Sequence, residues 1–303
     1  MLLTPYLITI YLLHWIIDIA YHNEKPDMTT FMFPGQGAQK KGMGEHLFNE
    51  FSQKTQQAND ILGYSIQELC LADPQEQLGN TQYTQPALYV IEALSFLNHI
   101  NSTPPPTYCI GHSLGEYSAL FAAGVFDFET GLRLIKKRGE LMAQSTGGSM
   151  LAVVGLPLER LAELLKLHHL ESIDYANLNS PKQTVLSGPS ADIAKAKEIL
   201  STEAKMCVTL PVSGAFHSRY MQDAAHEFGQ FIKQFEFKAP DITVIANATV
   251  QPYNAENIKE NLIRQIDQSV RWSETINYLH QQGETEFIEI GPGNVLTRLL
   301  TYF

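Results

Sequence analysis

An α/β fold, in which a large core is interrupted by a small ferredoxin-like subdomain, is what this sequence predicts, on three observations. From Thr29 onward, apolar strand-like runs alternate with amphipathic helical stretches. A strand, a glycine-bounded turn and a helix follow one another around Gly111-His112-Ser113-Leu114-Gly115. Between residues 150 and 212 the order changes to β-α-β-β-α-β, the split βαβ arrangement of a self-contained unit. The 303 residues, 44% hydrophobic and 17% charged, supply enough apolar content for one big domain or one domain with an insert.

The core opens with a strand at Phe31–Phe33 that ends at Pro34-Gly35-Gln36-Gly37, and helical patterns follow over Leu47–Leu62 and Gln85–Asn98. Thr103-Pro104-Pro105-Pro106 is a loop, because its prolines lack the N–H groups that a helix needs. Tyr108–Ile110 reads as a short buried strand, and Glu116–Ala123 and Phe128–Ala143 as helices. In the insert, Met150–Val154, Ile173–Asn177, Thr184–Leu186 and Cys207–Val212 are strands, and Leu158–Leu167 and Ala191–Leu200 are helices. Ile242–Ala246 and Glu286–Ile290 return to the core as strands. The expected division is therefore a core of residues 28–149 and 213–303 around a subdomain of residues 150–212.

Residues 1–27 stand apart. Leu2 to Ala20 is apolar, but it is broken by Thr4, Pro5, Thr9, His14 and Asp18. It has no basic start or small-residue cleavage site of a secretory signal. Its length, with Pro5 and Asp18 near its ends, is marginal for a membrane span. Met28 directly precedes the first strand, so the natural start is expected there, the alternative being a real helical extension or anchor; no membrane partner is expected.

The net charge of −11, without any block of Lys or Arg, gives nucleic-acid binding no electrostatic support. Cys70, Cys109 and Cys207 are odd in number and widely spaced. That argues against a disulfide framework and against a CxxC-type metal site, and fits a reducing cytoplasm.

Gly111-His112-Ser113-Leu114-Gly115 has the strand–turn–helix context of a nucleophile elbow. Such a turn brings backbone against backbone, so residues without a Cβ flank the serine. The serine then lies at the positive end of the following helix, where N–H groups can stabilise an oxyanion. A serine nucleophile needs a base. Of the ten histidines, His22, His46, His99, His168, His169, His226 and His280 lie in or beside solvated stretches or away from core strand ends. His112 adjoins the serine and is expected to point away along the turn. His217, in Ser213-Gly214-Ala215-Phe216-His217-Ser218, follows an apolar strand in a loop returning to the core, and is the candidate base.

The Phe33-Pro34-Gly35-Gln36-Gly37-Ala38-Gln39 loop could bring a second oxyanion N–H to the elbow, and it lacks the Lys-Ser/Thr of a phosphate-binding loop. Glu289-Ile290-Gly291-Pro292-Gly293-Asn294 is a similar turn. On the helix carrying Lys136 and Lys137, Arg138 lies about 100° further round and can face inward. A buried guanidinium asks for an anion, which is either a substrate carboxylate or a distant acid of the core.

Together, the Phe33–Gln39 loop, Thr84-Gln85-Pro86-Ala87, Gly111–Glu116, Arg138 with Gly139 and Met142, Asn177-Leu178-Asn179-Ser180-Pro181, Gly214–Ser218 and Ile290–Gly293 form an ordered set. This sequence resembles malonyl-CoA:acyl carrier protein transacylases, and more closely the free-standing acyltransferases that serve polyketide synthases in trans. The resemblance spans residues 28–303 and leaves 1–27 unmatched. It implies an α/β-hydrolase-like core, Ser113 as the acylated nucleophile and His217 as its base, in a dyad without a triad acid. It further implies that a backbone carbonyl near Gln282 orients the histidine, that Gln36 and Leu114 supply oxyanion N–H groups, and that Arg138 clamps the malonyl carboxylate. Gln85, His112, Met142 and Asn179 match pocket positions, and Phe216 matches the malonyl-selecting form of its motif.

No permanently bound cofactor or metal is implied. The substrates are malonyl-CoA and the phosphopantetheine thiol of an acyl carrier protein, and the chain is expected to work as a cytoplasmic monomer. Carrier proteins are usually acidic, as this chain is, so docking needs a local basic patch, for which Lys40, Lys41 and Arg219 are candidates. The rival readings are an editing acyl hydrolase on the same fold, a non-catalytic docking protein and a lipase-like hydrolase.

Overall fold

A computed structural model describes residues 28–303; the apolar segment 1–27 and its His22 lie outside the described residues. The core begins with β1 (Thr29–Phe33), α1 (Glu45–Glu50), α2 (Ser52–Leu62), α3 (Ile66–Leu71), α4 (Thr81–Ile100), β2 (Tyr108–Gly111), α5 (Gly115–Ala122) and α6 (Phe128–Ala143). There follow β3 (Gly148–Val154), α7 (Leu158–Leu167), β4 (Asp174–Ser180), β5 (Gln183–Pro189), α8 (Ser190–Leu200) and β6 (Met206–Thr209). The chain returns through a 3₁₀ turn (Arg219–Met221), α9 (Gln222–Ile232), β7 (Thr243–Val244), α10 (Ile258–Asp267), α11 (Trp272–Gln282), β8 (Glu286–Glu289) and α12 (Val295–Leu300).

The fold is mixed α/β, with a parallel sheet ordered β7-β2-β1-β8 and an antiparallel sheet ordered β4-β5-β3-β6. The central strands β1 and β2 are mostly apolar because both of their faces are buried, whereas the edge strand β8 carries Glu286 and Glu289 and is only partly covered. Phe31, Phe33 and Cys109 pack into one cluster with Leu88, Leu120 and Leu134. Met32 and Ile110, one residue along, pack against Val270, Trp272, Ile276 and Leu296 on the other side. The antiparallel sheet has its own cluster, in which Leu151 and Val153 meet Leu161, Ile193 and Leu200. Backbone hydrogen bonds tie the two sheets' surroundings together: Leu178 N–H donates to the Val270 carbonyl (2.9 Å), and Val270 N–H to that of Ala176 (2.8 Å).

Several boundaries differ from the sequence expectation. The helical pattern over Leu47–Leu62 breaks at Phe51, whose φ of −108° and ψ of 44° leave the helical region. The helix expected from Gln85 starts at Thr81, because the Asn80 side chain accepts the Gln82 N–H and caps it; Pro86 then lies inside the helix rather than at its start. The strand expected over Cys207–Val212 ends at Thr209, and Pro211 just beyond has no N–H to continue a ladder.

The elbow's glycines are required by contact. A Cβ on Gly115 would lie 2.2 Å from the Phe33 carbonyl oxygen, and one on Gly111 2.0 Å from the Gly115 carbonyl carbon. Both obstacles are backbone and cannot swing aside. Gly115→Ala is therefore expected to lose about 2–3 kcal/mol of stability, seen as a lower urea midpoint with an unchanged slope. An unchanged midpoint would show that β1 and α5 can part without penalty.

Candidate active site

Ser113 joins β2 to α5 with a φ of +54°, and His217 has a φ of +55°. Side chains hold such left-handed conformations only where their surroundings fix them. At Ser113 the fixing groups are distant in sequence. Its N–H donates to Asn247 Oδ1 (2.8 Å), Asn247 Nδ2 donates to the Gly111 carbonyl (2.7 Å), and Gln265 Nε2 donates to the Ser113 carbonyl.

His217 Nε2 lies 2.7 Å from Ser113 Oγ, and its Nδ1 lies 2.8 Å from the Gln265 backbone carbonyl. A carbonyl can only accept, so Nδ1 carries the proton and Nε2 offers its lone pair to the serine hydroxyl. Burial, and next the Arg138 charge, lowers the His217 pKa to about 3, so the imidazole is neutral and ready to accept a proton. The orienting carbonyl corrects the expectation placed near Gln282. Gln282 is the exposed last residue of α11, whereas Gln265 lies on the buried face of α10.

Arg138 is 1% exposed on α6, while Lys136 and Lys137 are half-buried. Its Nη1 donates to Gln85 Oε1 (2.6 Å), and its Nη2 donates to Gln265 Oε1 (2.8 Å) and Ser113 Oγ (3.1 Å). Among the described residues no carboxylate pairs with it directly, and its Nε has no partner. The Tyr117 ring lies 5.7 Å from the guanidinium carbon. A buried cation held by two amides and a hydroxyl leaves its charge open to an incoming anion.

A cleft opens over these groups, between the parallel-sheet core and the antiparallel sheet. It brings together Ser113, His217, Arg138, Gln36, Leu114, Gln85, His112, Met142 and Phe216, all expected from the sequence. Asn179 stands behind the cleft wall, where its Oδ1 is 2.8 Å from His112 Nε2. His112 lines the cleft, as the resemblance implies, and the Asn179 contact and the Trp272 ring, 5.5 Å off, hold it there. The N–H groups of Gln36 and Leu114 have no partner among the described hydrogen bonds. Thr81 Oγ1 donates to Gln36 Oε1 (2.6 Å), which ties the loop after β1 to α4.

Sequence reasoning missed Met150, Asn177, Leu210 and Val212 on the cleft wall, and Asn247, Gln265, Glu116 and Tyr253 behind it. Of the basic candidates for docking, Lys40 and Lys41 are exposed. Arg219 is engaged by the Asp174 carboxylate, so its charge is already answered. Among the described residues no His, Cys, Asp and Glu cluster could hold a metal, and no helix is long and apolar enough to cross a membrane.

The acyl transferase domain family matches residues 30–302. The chain is 52% identical over 276 residues to the polyketide biosynthesis malonyl CoA-acyl carrier protein transacylase PksC of Bacillus subtilis (strain 168), covering 90% of this chain and 96% of that one. Its fold matches the crystal structure of malonyl CoA-acyl carrier protein transacylase from Burkholderia pseudomallei with a TM-score of 0.88 and 45% identity, over 91% of this chain and 97% of that chain. It also matches the structure of a malonyl-transacylase in complex with its type II PKS acyl-carrier protein, with a TM-score of 0.86 and 35% identity, over 91% and 92% of the two chains. With the Ser113 elbow, the neutral His217 and the buried Arg138 in one cleft, the chain belongs to the acyl transferase domain family and, within it, to the malonyl-CoA:acyl carrier protein transacylases.

Proposed function

We propose that this acyltransferase moves a malonyl group from malonyl-CoA to the phosphopantetheine thiol of an acyl carrier protein, through a malonyl ester on Ser113, to supply polyketide or fatty acid synthesis. The observation that carries this reading is the position of Arg138 Nη2, 3.1 Å from Ser113 Oγ. An acyl group on that oxygen with a carboxylate one methylene away reaches the guanidinium; an acetyl group offers it nothing.

In the first half-reaction Ser113 Oγ attacks the thioester carbonyl while its proton passes to His217 Nε2. The carbonyl oxygen becomes an oxyanion, received by the unpartnered N–H groups of Gln36 and Leu114. The C–S bond then breaks, and the CoA sulfur takes the proton from the imidazolium. In the second half-reaction His217 removes the proton of the carrier's thiol, the thiolate attacks the ester carbonyl, the ester C–O bond breaks, and Ser113 Oγ takes the proton back from the imidazolium. The substrate carboxylate also offsets the Arg138 charge that holds the His217 pKa down. Binding of the right acyl group thus strengthens the base that acts on it. Gln85 and Met142 back the clamp, Phe216 closes the space that a branched acyl group would need, and His112, braced from behind by Asn179, forms the opposite wall.

The same reading divides the chain into an α/β-hydrolase-like core (28–149 and 213–303) and a ferredoxin-like subdomain (150–212). The β4-β5-β3-β6 order supports the latter, and the elbow on a parallel sheet the former. It takes the enzyme as a cytoplasmic monomer that works without a permanently bound cofactor.

Its test is a transfer assay with malonyl-, methylmalonyl- and acetyl-CoA against a panel of phosphopantetheinylated carrier proteins. Malonyl-carrier product is expected, with little from the other two donors. Steady release of free acid in place of transfer would mean that the enzyme is an editing hydrolase.

A further inference from the structure

Behind the nucleophile lies a carboxylate that touches neither the cleft nor any substrate. Glu116 is fully buried on α5. Its Oε1 accepts from the Asn247 N–H (2.9 Å) and the Tyr253 hydroxyl (2.7 Å), and its Oε2 accepts from Gln265 Nε2 (2.7 Å). The residues it holds are those that hold the site. Asn247 grips the Ser113 N–H and the Gly111 carbonyl on either side of the elbow. Gln265 carries the carbonyl that orients His217, and its side-chain oxygen receives Arg138 Nη2. An ionised carboxylate only accepts, so it obliges Gln265 to turn its NH₂ inward and therefore its oxygen toward Arg138.

We propose that Glu116 is a positioning residue for acyl transfer: through Asn247 and Gln265 its carboxylate keeps Ser113, His217 and Arg138 in register. This rests on the Ser113–His217 reading of the site. The ionisable groups facing Glu116 are Arg138 from α6, Tyr253 from the segment after β7, and Tyr117 on its own helix. Burial pushes the carboxyl up to about 7, against the hydrogen bonds and the Arg138 charge that favour ionisation. Below that pH it protonates and its grip loosens, so the acylation rate falls as pH falls through this range.

The experiment is single-turnover acylation of the full chain by malonyl-CoA and, separately, by p-nitrophenyl acetate, across pH. In Glu116→Gln the acylation rate constant is expected to fall about 10- to 100-fold for both reagents, with KM for malonyl-CoA shifted less than about threefold. The acid limb near pH 7 disappears. A folded Glu116→Gln chain with the wild-type rate constant, or with a change confined to KM, overturns the proposal. Tyr253→Phe removes one hydrogen bond and keeps the shape, should the first variant fold poorly. It is expected to slow acylation about two- to fivefold and to move the acid limb to higher pH; an unmoved limb overturns the proposal as well. The nitrophenyl ester separates the two claims. If wild-type enzyme reacts with the ester but takes no malonyl group from CoA, the assigned acyl donor is wrong, and Glu116 is still judged on the ester.

Discussion

Replacing Ser113 with alanine is expected to abolish the covalent malonyl-enzyme and to reduce transfer about 10⁴-fold or more. The hydroxyl is the one atom in the cleft within hydrogen-bond reach of both the neutral imidazole (2.7 Å) and the guanidinium (3.1 Å). Without it the base has no proton to take, and among the described residues no other hydroxyl, thiol or amine lines the cleft. Arg138 remains, so malonyl-CoA still binds, and loss of rate without loss of binding marks a nucleophile. Acid-quenched enzyme on a denaturing gel, after exposure to radiolabelled malonyl-CoA, reads the outcome directly. Persistence of the label in Ser113→Ala would refute the assignment.

Arg138→Ala is expected to change which acyl group the enzyme accepts. Removing one partner of a buried, hydrogen-bonded charge pair typically loses about 2–5 kcal/mol, so kcat/KM for malonyl-CoA should fall about 30-fold or more. Acetyl-CoA never makes that contact. It suffers from the freed oxygens of Gln85 and Gln265, which Arg138 satisfied, and from the lost hydrogen bond to Ser113 Oγ. The informative quantity is the ratio of malonyl to acetyl kcat/KM, which should drop by at least about tenfold. An equal fall for both donors would mean that Arg138 merely braces Ser113 and Gln265.

What the sequence disclosed depended on how local each feature is. The elbow was legible because its strand, serine and flanking glycines are contiguous, and the backbone contacts at Gly111 and Gly115 supply the physical reason. His217 was legible from its place after an apolar strand. Arg138 was legible from helix geometry, because one residue's rotation separates it from the half-buried lysines. The orienting carbonyl was not legible, since every residue has one and only the fold says which faces the ring. That is why Gln282 stood where Gln265 belongs. Gln265 did leave a trace: it is a polar residue among Ile258, Leu262 and Ile266 on the buried stripe of α10. Asn247 left a similar one, amid Ile245, Ala246 and Ala248. Neither trace names its partner, because Asn247 and Gln265 meet the elbow across more than a hundred residues of chain. What holds His112 at the cleft was not legible for a related reason, since Asn179 and Trp272 come from elsewhere in the chain.

The most direct measurement of the central claim is a mass-spectrometric map of the enzyme in two steps. Enzyme mixed with malonyl-CoA and quenched in acid should carry one malonyl group, on the peptide that contains Ser113. Adding a phosphopantetheinylated carrier protein before the quench should empty that peptide and place the malonyl group on the carrier's thiol. A malonyl-Ser113 that drains to free malonate while the carrier stays bare, or a carrier loaded without any modification at Ser113, would contradict the account.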